Sequence, residues 1–263
     1  MIMKYKYLFK LLLLLLIITI LAYLIYYCFI KKSKFKQVKL DNFGDKFYFE
    51  IEDVLTNEEC DLLINKAKDK LINSKVMDVD KNNNYTDRQD DNVRTSKQAW
   101  LEHGDNEFIK EKTLRIVNKY IKHNNIVNSN QFENIQVANY KPGTEYKEHY
   151  DICHPYQAYP EHLNVCKKEF KIQGSVRYVT VIYYLNDGFN GGETYFPKLN
   201  IYIKPKKGKA LIFFNCNLDS NSNKTGLCDI INESQHAGLP VLEGGKTNEK
   251  WIANVWIRVK NRN

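Results

Sequence analysis

The stretch from Tyr140 to Asp151 restricts the fold of this chain more than any other. Its middle, Lys141-Pro142-Gly143-Thr144, reads as a type II turn, because proline presets φ at the second position and glycine accepts φ > 0 at the third. Apolar and aromatic residues on both sides make the whole a strand, a tight turn and a second strand. Side chains repeat every two residues in a strand, so His149 and Asp151 share a face. One imidazole and one carboxylate on one face supply two of the three ligands of a facial metal site. The third, a second histidine, has to come from elsewhere in the chain.

The segments around this stretch favour a mainly β fold with flanking helices. After Asn130 the chain alternates short apolar runs with turn residues, the pattern of a sandwich or barrel. The predicted strands are Ile135–Tyr140, Tyr146–Tyr150, Val176–Leu185, Glu193–Phe196, Ile201–Ile203, Ala210–Phe214 and Trp251–Val259, with Pro205–Gly208 as a hairpin turn. Before Asn130, Phe47–Leu55 reads as a strand, and Thr56-Asn57-Glu58-Glu59 is a capping box that opens a helix. Leu62, Leu63, Ala67 and Leu71 give that helix an apolar stripe. Asp78 to Asp91 is asparagine-rich and polar, which predicts a mobile loop. Val93-Arg94-Thr95-Ser96 predicts the start of a short strand. A second amphipathic helix is predicted from about Asn106 to His123, with Ile109, Ile116, Val117 and Tyr120 on its apolar face. Two helices followed by antiparallel strands suggest a β-sandwich or jelly roll braced by helices.

Leu11 to Ile30 carries no charge and is long enough to span the bilayer's hydrocarbon core as a helix. Lysines bracket it, and Tyr23, Tyr26 and Tyr27 cluster towards its second end, as interfacial aromatics do. This predicts a single N-terminal transmembrane anchor over residues 1–38; a cleaved signal peptide is the competing reading. Residues 39–130 then form a helical and strand support region, and residues 131–263 the β core. The 263-residue chain has a formal charge of +8, which invites a nucleic-acid reading. Residues 1–38 hold seven lysines and no acid, however, so the remainder is close to neutral and no nucleic-acid partner is expected. Of six cysteines, Cys28 lies in the apolar run, and Cys60, Cys153, Cys166, Cys216 and Cys228 remain. In an oxidising lumen Cys153–Cys166 and Cys216–Cys228 are the natural short-loop pairs; free thiols are the alternative.

The candidate third ligand is His236, at the head of a segment leading into the last strand. His103, His123, His154 and His162 have neighbourhoods that read as solvent or loop, with His154 and His162 the nearest rivals.

Six motifs in order carry a resemblance. They are Val93–Ser96, Tyr140–Asp151, Arg177–Leu185, Gly191-Gly192-Glu193-Thr194-Tyr195-Phe196-Pro197, Lys204–Gly208 and His236-Ala237-Gly238-Leu239-Pro240-Val241. From about Phe47 to Arg258 the chain resembles the 2-oxoglutarate- and Fe(II)-dependent dioxygenases of the prolyl 4-hydroxylase type. The resemblance implies a double-stranded β-helix (jelly roll) with Fe(II) held by His149, Asp151 and His236. It implies 2-oxoglutarate and dioxygen as co-substrates, L-ascorbate as reductant, and hydroxylation of peptidyl proline with release of succinate and carbon dioxide. The same motifs are compatible with another peptidyl residue such as lysine, or with a non-catalytic binding module.

By the same resemblance, a lysine near the start of the last strand meets the far carboxylate of 2-oxoglutarate. Counting from His236 selects Lys246, whereas the register against Trp251 and Trp256 selects Lys250, if the turn Gly244–Glu249 carries a four-residue insertion. Lys250 is preferred, since turns absorb insertions more readily than strands. Tyr140 and Thr194 match positions whose hydroxyls reach that carboxylate, and Arg177, Tyr146 and Trp256 match positions lining the peptide groove. Ile152–Gly174 is longer than the corresponding family segment. Members of the family it resembles commonly act on secretory-pathway substrates, and the resemblance thus implies an endoplasmic reticulum or secretory-pathway membrane with a luminal catalytic domain.

Overall fold

A computed structural model of the chain describes residues 19–20, 47–82, 84–102, 104, 106–120 and 127–261. The chain divides into two units, Met1–Gly44 and Asp45–Asn263, and the second holds the sheets. The expected anchor, Leu11–Ile30, lies outside the described residues apart from Thr19 and Ile20. Among the described residues no helix is long and apolar enough to cross a membrane.

The unit begins with β1 (Tyr48–Ile51) and a helix over Asn57–Lys68. The Thr56 hydroxyl accepts from the Glu59 amide, and the Glu59 carboxylate accepts from the Thr56 amide, the capping box expected there. Four short strands follow: β2 (Ile72–Asn73), β3 (Val76–Val79), β4 (Tyr85–Arg88) and β5 (Lys97–Leu101). A second helix, Glu107–Tyr120, leads to β6 (Ile135–Tyr140) and β7 (Tyr146–His149). A third helix, Leu163–Gln173, lies within the long segment after Asp151. Then come β8 (Arg177–Tyr184), β9 (Asn190–Gly191), β10 (Thr194–Phe196), β11 (Ile201–Ile203) and β12 (Ala210–Phe214). The chain closes with β13 (Cys216–Asn217), β14 (Asp229–Ile230), β15 (His236–Gly238), β16 (Val241–Leu242) and β17 (Lys250–Arg258).

Two sheets hold the site. The larger has the order β1-β12-β8-β17-β6-β5-β2, and the smaller β11-β10-β15-β7. Every strand pair in both is antiparallel. The sheets share one core: Phe196 of the smaller meets Phe213 of the larger edge-on at 5.5 Å, and Tyr140, Ile182, Tyr184 and Ile252 belong to the same cluster. Burying a phenylalanine or isoleucine of this kind contributes roughly 1.5–3 kcal/mol. This is the jelly-roll arrangement the sequence predicts. All nine residues of β17 are buried because β6 and β8 flank it and the cavity described below lies over one face.

Three expectations change. Asp78–Asp91 is not an unstructured loop, since β3 and β4 pair as a hairpin. Met77, Val79 and Tyr85 pack against Cys153, Val165 and Cys166, an apolar anchorage the polar composition hides. Pro205–Gly208 does not close a hairpin: β11 pairs with β10, and β12 with β1 and β8, so the turn carries the chain from one sheet to the other. Val93–Ser96 forms no strand; Arg94 makes an isolated bridge to Tyr146 and the strand starts at Lys97. Two disulfides join Cys153 to Cys166 and Cys216 to Cys228, leaving Cys60 as the free, buried thiol among the described residues.

Candidate active site

The turn at Lys141–Thr144 forms as predicted, with Gly143 at φ 78° and the Thr144 amide donating to the Lys141 carbonyl at 3.0 Å. It returns the chain into β7, which ends at His149; Asp151 lies in a bend two residues further on rather than in the strand. The neighbour of β7 is β15, with His236 directly opposite His149 and the ring centroids 4.3 Å apart. The three side chains converge, with potential ligand atoms of all three within 4.8 Å of one another. His149 Nε2 lies 3.7 Å from Asp151 Oδ1, and His236 Nε2 lies 3.8 Å from Asp151 Oδ2.

The donor chemistry fits a divalent metal. His149 Nδ1 faces the Lys147 carbonyl at 2.7 Å, and His236 Nδ1 faces the Ser234 carbonyl at 2.9 Å. A carbonyl only accepts, so each Nδ1 carries a proton and each Nε2 is the nitrogen turned to the shared space. Burial, followed by the nearby His236, lowers the His149 pKa and favours the neutral ring. For Asp151 burial pushes the pKa up, but His236, His149 and Arg177 outweigh it and hold the carboxyl low. A neutral His149 imidazole and an ionised Asp151 carboxylate are protonation states that a metal requires. Thr180 Oγ1 donates to Asp151 Oδ2 at 2.8 Å, and Asn215 Nδ2 donates to Thr180 Oγ1 at 3.0 Å.

A cavity of about 300 Å³ holds the triad and extends to both sides. On one side β6 and β17 place Tyr140 opposite Lys250. Lys250 is 1% exposed, its Nζ donates to the Gly192 carbonyl at 2.7 Å, and it lies 5.0 Å from the Tyr140 ring centroid. Burial, opposed by Glu193, pushes its pKa down to about 8. Gly192 permits this approach: at φ 70° it adopts a backbone that side chains disfavour, and a Cβ there would sit 2.9 Å from Phe189. Lys246, by contrast, is exposed in the turn before β17. Thr194 projects into the same chamber, its hydroxyl 2.8 Å from Tyr184 Oη. A buried cation without a carboxylate in hydrogen-bond contact, flanked by hydroxyls, can hold an anion's carboxylate.

On the other side, Arg177 lies 3.9 Å above the Trp256 ring and grips Glu133 through two hydrogen bonds of 2.8 Å. Tyr146 packs against both Arg94, 4.6 Å from its centroid, and His149. All the predicted site residues therefore line one cavity. His154, a rival ligand, is buried rather than solvated, and its Nδ1 accepts from the Tyr156 and Gln157 amides away from the triad. His162 precedes the third helix. Sequence reading missed Thr180, Tyr184, Glu133 and Glu169. A lone threonine in the apolar run Arg177–Tyr184 is a visible signal for the first; nothing local marks Glu133.

Comparisons with known proteins agree with this geometry. A family profile described as the 2OG-Fe(II) oxygenase superfamily matches residues 135–258. A protein of Acanthamoeba polyphaga mimivirus, provisionally named a prolyl 4-hydroxylase, is 35% identical over 227 residues, 86% of this chain and 80% of its own. Prolyl 4-hydroxylase 2 of Arabidopsis thaliana is 32% identical over 253 residues, 88% of this chain and 72% of its own. Among solved structures, the collagen prolyl hydroxylase of Paramecium Bursaria Chlorella virus-1 in complex with 2OG matches at TM-score 0.56 and 32% identity, over 81% of this chain and 96% of its own. With jelly roll, facial triad and relatives in agreement, this chain belongs to the 2-oxoglutarate- and Fe(II)-dependent oxygenase superfamily, as a dioxygenase of the prolyl 4-hydroxylase type.

Proposed function

We propose that the protein is a prolyl 4-hydroxylase that oxidises peptidyl proline with 2-oxoglutarate and dioxygen, releasing succinate and carbon dioxide. The observation that carries the proposal is the shared cavity, in which the triad lies between the buried Lys250 and the Arg177–Trp256 wall. Relatives named for prolyl hydroxylation supply the choice of substrate.

Fe(II), bound by His149, Asp151 and His236, and 2-oxoglutarate supply the oxidising chemistry; the chain binds, orients and shields. The backbone carbonyls of Lys147 and Ser234 hold the Nδ1 protons, which leaves Nε2 as the nitrogen each ring offers to the metal. Thr180 steadies one oxygen of Asp151. Lys250 would pair with the far carboxylate of 2-oxoglutarate, and the Tyr140 and Thr194 hydroxyls would donate to it. Phe196 and Phe213, packed around His236 at 5.9 and 4.7 Å between ring centroids, keep water from that side. Tyr146, Arg177 and Trp256 line the wall against which the peptide lies. L-Ascorbate, the reductant that the family resemblance implies, would keep the iron reduced. The deciding experiment is turnover of 2-oxoglutarate with a panel of proline-rich and collagen-like peptides, read by mass spectrometry. Succinate formed without a +16 Da peptide product would overturn the substrate assignment.

The apolar run Leu11–Ile30 supports a single-pass anchor, and the catalytic unit then faces the lumen of the secretory pathway. The disulfides Cys153–Cys166 and Cys216–Cys228 support an oxidising compartment. Protease protection in microsomes tests this: digestion of the catalytic unit without detergent would place it in the cytosol.

A further inference from the structure

The long segment after Asp151 reaches the site twice. Cys153, two residues past the proposed ligand, is tied to Cys166 on the helix Leu163–Gln173. Three residues further along the same helical face, Glu169 accepts from Arg258 Nη2 at 2.5 Å. Arg258 ends β17 and is 1% exposed. Its Nη1 donates to the Ser175 carbonyl. Its Nε lies 2.7 Å from Glu133 Oε1, a charge contact without hydrogen-bond alignment. Glu133 in turn grips Arg177, whose Nη1 donates to the Asp151 carbonyl at 3.4 Å. Two guanidinium groups and two carboxylates thus form one chain, buried except for the partly exposed Arg177, from the insertion helix to the wall beside Asp151.

We propose that Glu169 is a positioning residue for peptide binding: by holding Arg258 Nη2 it limits the pull of that guanidinium on the Glu133 carboxylate, which both arginines share, and so fixes Arg177 over Trp256. The physical reason is competition. A buried guanidinium that loses one counter-charge is strongly destabilised and draws on the nearest remaining carboxylate. For Arg258 that carboxylate is Glu133, already shared with Arg177. Removing Glu169 therefore loosens the Arg177 fork through Arg258, and it also withdraws a negative charge that acts on Arg177 without a hydrogen bond between the two. The insertion, through one side chain, sets the shape of the wall that meets the substrate.

The kinetic part of the test rests on the hydroxylase reading; a second part does not. Three proteins are compared with wild type: Glu169→Ala, Glu169→Gln and the double variant Glu169→Ala/Arg258→Leu. In the metal-free proteins, Trp256 emission, isolated by subtracting matched Trp256→Phe proteins, reports the guanidinium over the ring. In the loaded enzyme, Michaelis constants are measured separately for a proline peptide and for 2-oxoglutarate. Glu169→Ala should change the Trp256 emission and raise the peptide constant about tenfold, within the range of couplings in buried networks. The constant for 2-oxoglutarate should not move. The double variant, with no stranded guanidinium, should return towards wild type in both readouts. Unchanged emission and peptide constant in folded Glu169→Ala would overturn the proposal, as would a double variant no better than the single one. A purely structural role would lower kcat and thermal stability and leave the peptide constant alone. If Glu169→Ala does not fold, Glu169→Gln, uncharged and of the same size, carries the same test with a smaller shift. If no protein hydroxylates proline peptides, the hydroxylase reading falls and the emission of the metal-free proteins decides the proposal by itself.

Discussion

Tyr146 lies flat on His149, with ring centroids 3.5 Å apart and planes 14° from parallel. Arg94 also lies over the tyrosine ring, 4.6 Å from its centroid, so a guanidinium, a phenol and an imidazole pack together. The stack restrains the His149 ring, while the Lys147 carbonyl fixes its tautomer. Stacked aromatic pairs contribute about 0.5–1.5 kcal/mol beyond their burial. Tyr146→Leu should therefore weaken Fe(II) affinity about two- to tenfold. Anaerobic titration with Fe(II) checks this.

His149→Ala, Asp151→Ala and His236→Ala should each abolish metal binding or coupled turnover, because a facial site does not survive the loss of a ligand. Thr180→Val is the subtler case. It removes the hydroxyl that donates to Asp151 Oδ2 and should weaken metal affinity about 10- to 100-fold, as loss of a ligand's hydrogen-bond partner does. A His236→Ala protein with wild-type iron affinity would remove His236 from the ligand set.

Lys250→Ala should raise the Michaelis constant for 2-oxoglutarate by roughly one to two orders of magnitude, provided that constant tracks binding. A charge-assisted contact is worth about 1.5–3 kcal/mol, and about 1.4 kcal/mol is tenfold. Iron affinity should barely change. Lys246→Ala, in the exposed turn, should alter neither quantity.

The buried Lys250 also predicts a pH dependence. Its pKa is about 8 in the folded protein, below the ordinary 10.5. Between those values the unfolded chain binds more protons, so stability of the ligand-free fold rises with pH there; below about 8 the cost of burying the charge is present in full. Co-substrate binding has the opposite sign. A bound dianion favours the protonated lysine, so above pH 8 binding takes up a proton and affinity falls, by up to about tenfold per pH unit. Calorimetry of 2-oxoglutarate binding in buffers of different ionisation heat should show uptake at pH 9 and little at pH 6.5. Lys250→Met should abolish the difference.

Local chemistry made much of this molecule legible. The capping box at Thr56, the turn at Pro142-Gly143 and the strands β6, β11 and β12 lie where turn residues and apolar alternation put them. His149 and Asp151 announce themselves by being two apart. What stayed hidden depends on pairing between distant segments. The hairpin β3–β4 reads as a loop because its stabilising partners, Cys153, Val165 and Cys166, lie some eighty residues away. Pro205–Gly208 has the composition of a hairpin turn, yet which strands it joins is settled by the sheets on either side. Glu133 and Glu169 look like ordinary surface acids until Arg177 and Arg258 are placed beside them.

One strand, β17, carries Lys250 at its first residue, Trp256 at its seventh and Arg258 at its last. At about 3.4 Å per residue it acts as a ruler between the co-substrate chamber and the substrate wall. Extra residues in the turn ahead of Lys250 slide along the outside and leave this ruler unchanged. A single residue gained or lost inside β17 would reverse which face every later side chain presents. Length variation in proteins of this design should therefore gather in the turn and spare the strand, so chimaeras that exchange the turn should keep both pockets aligned.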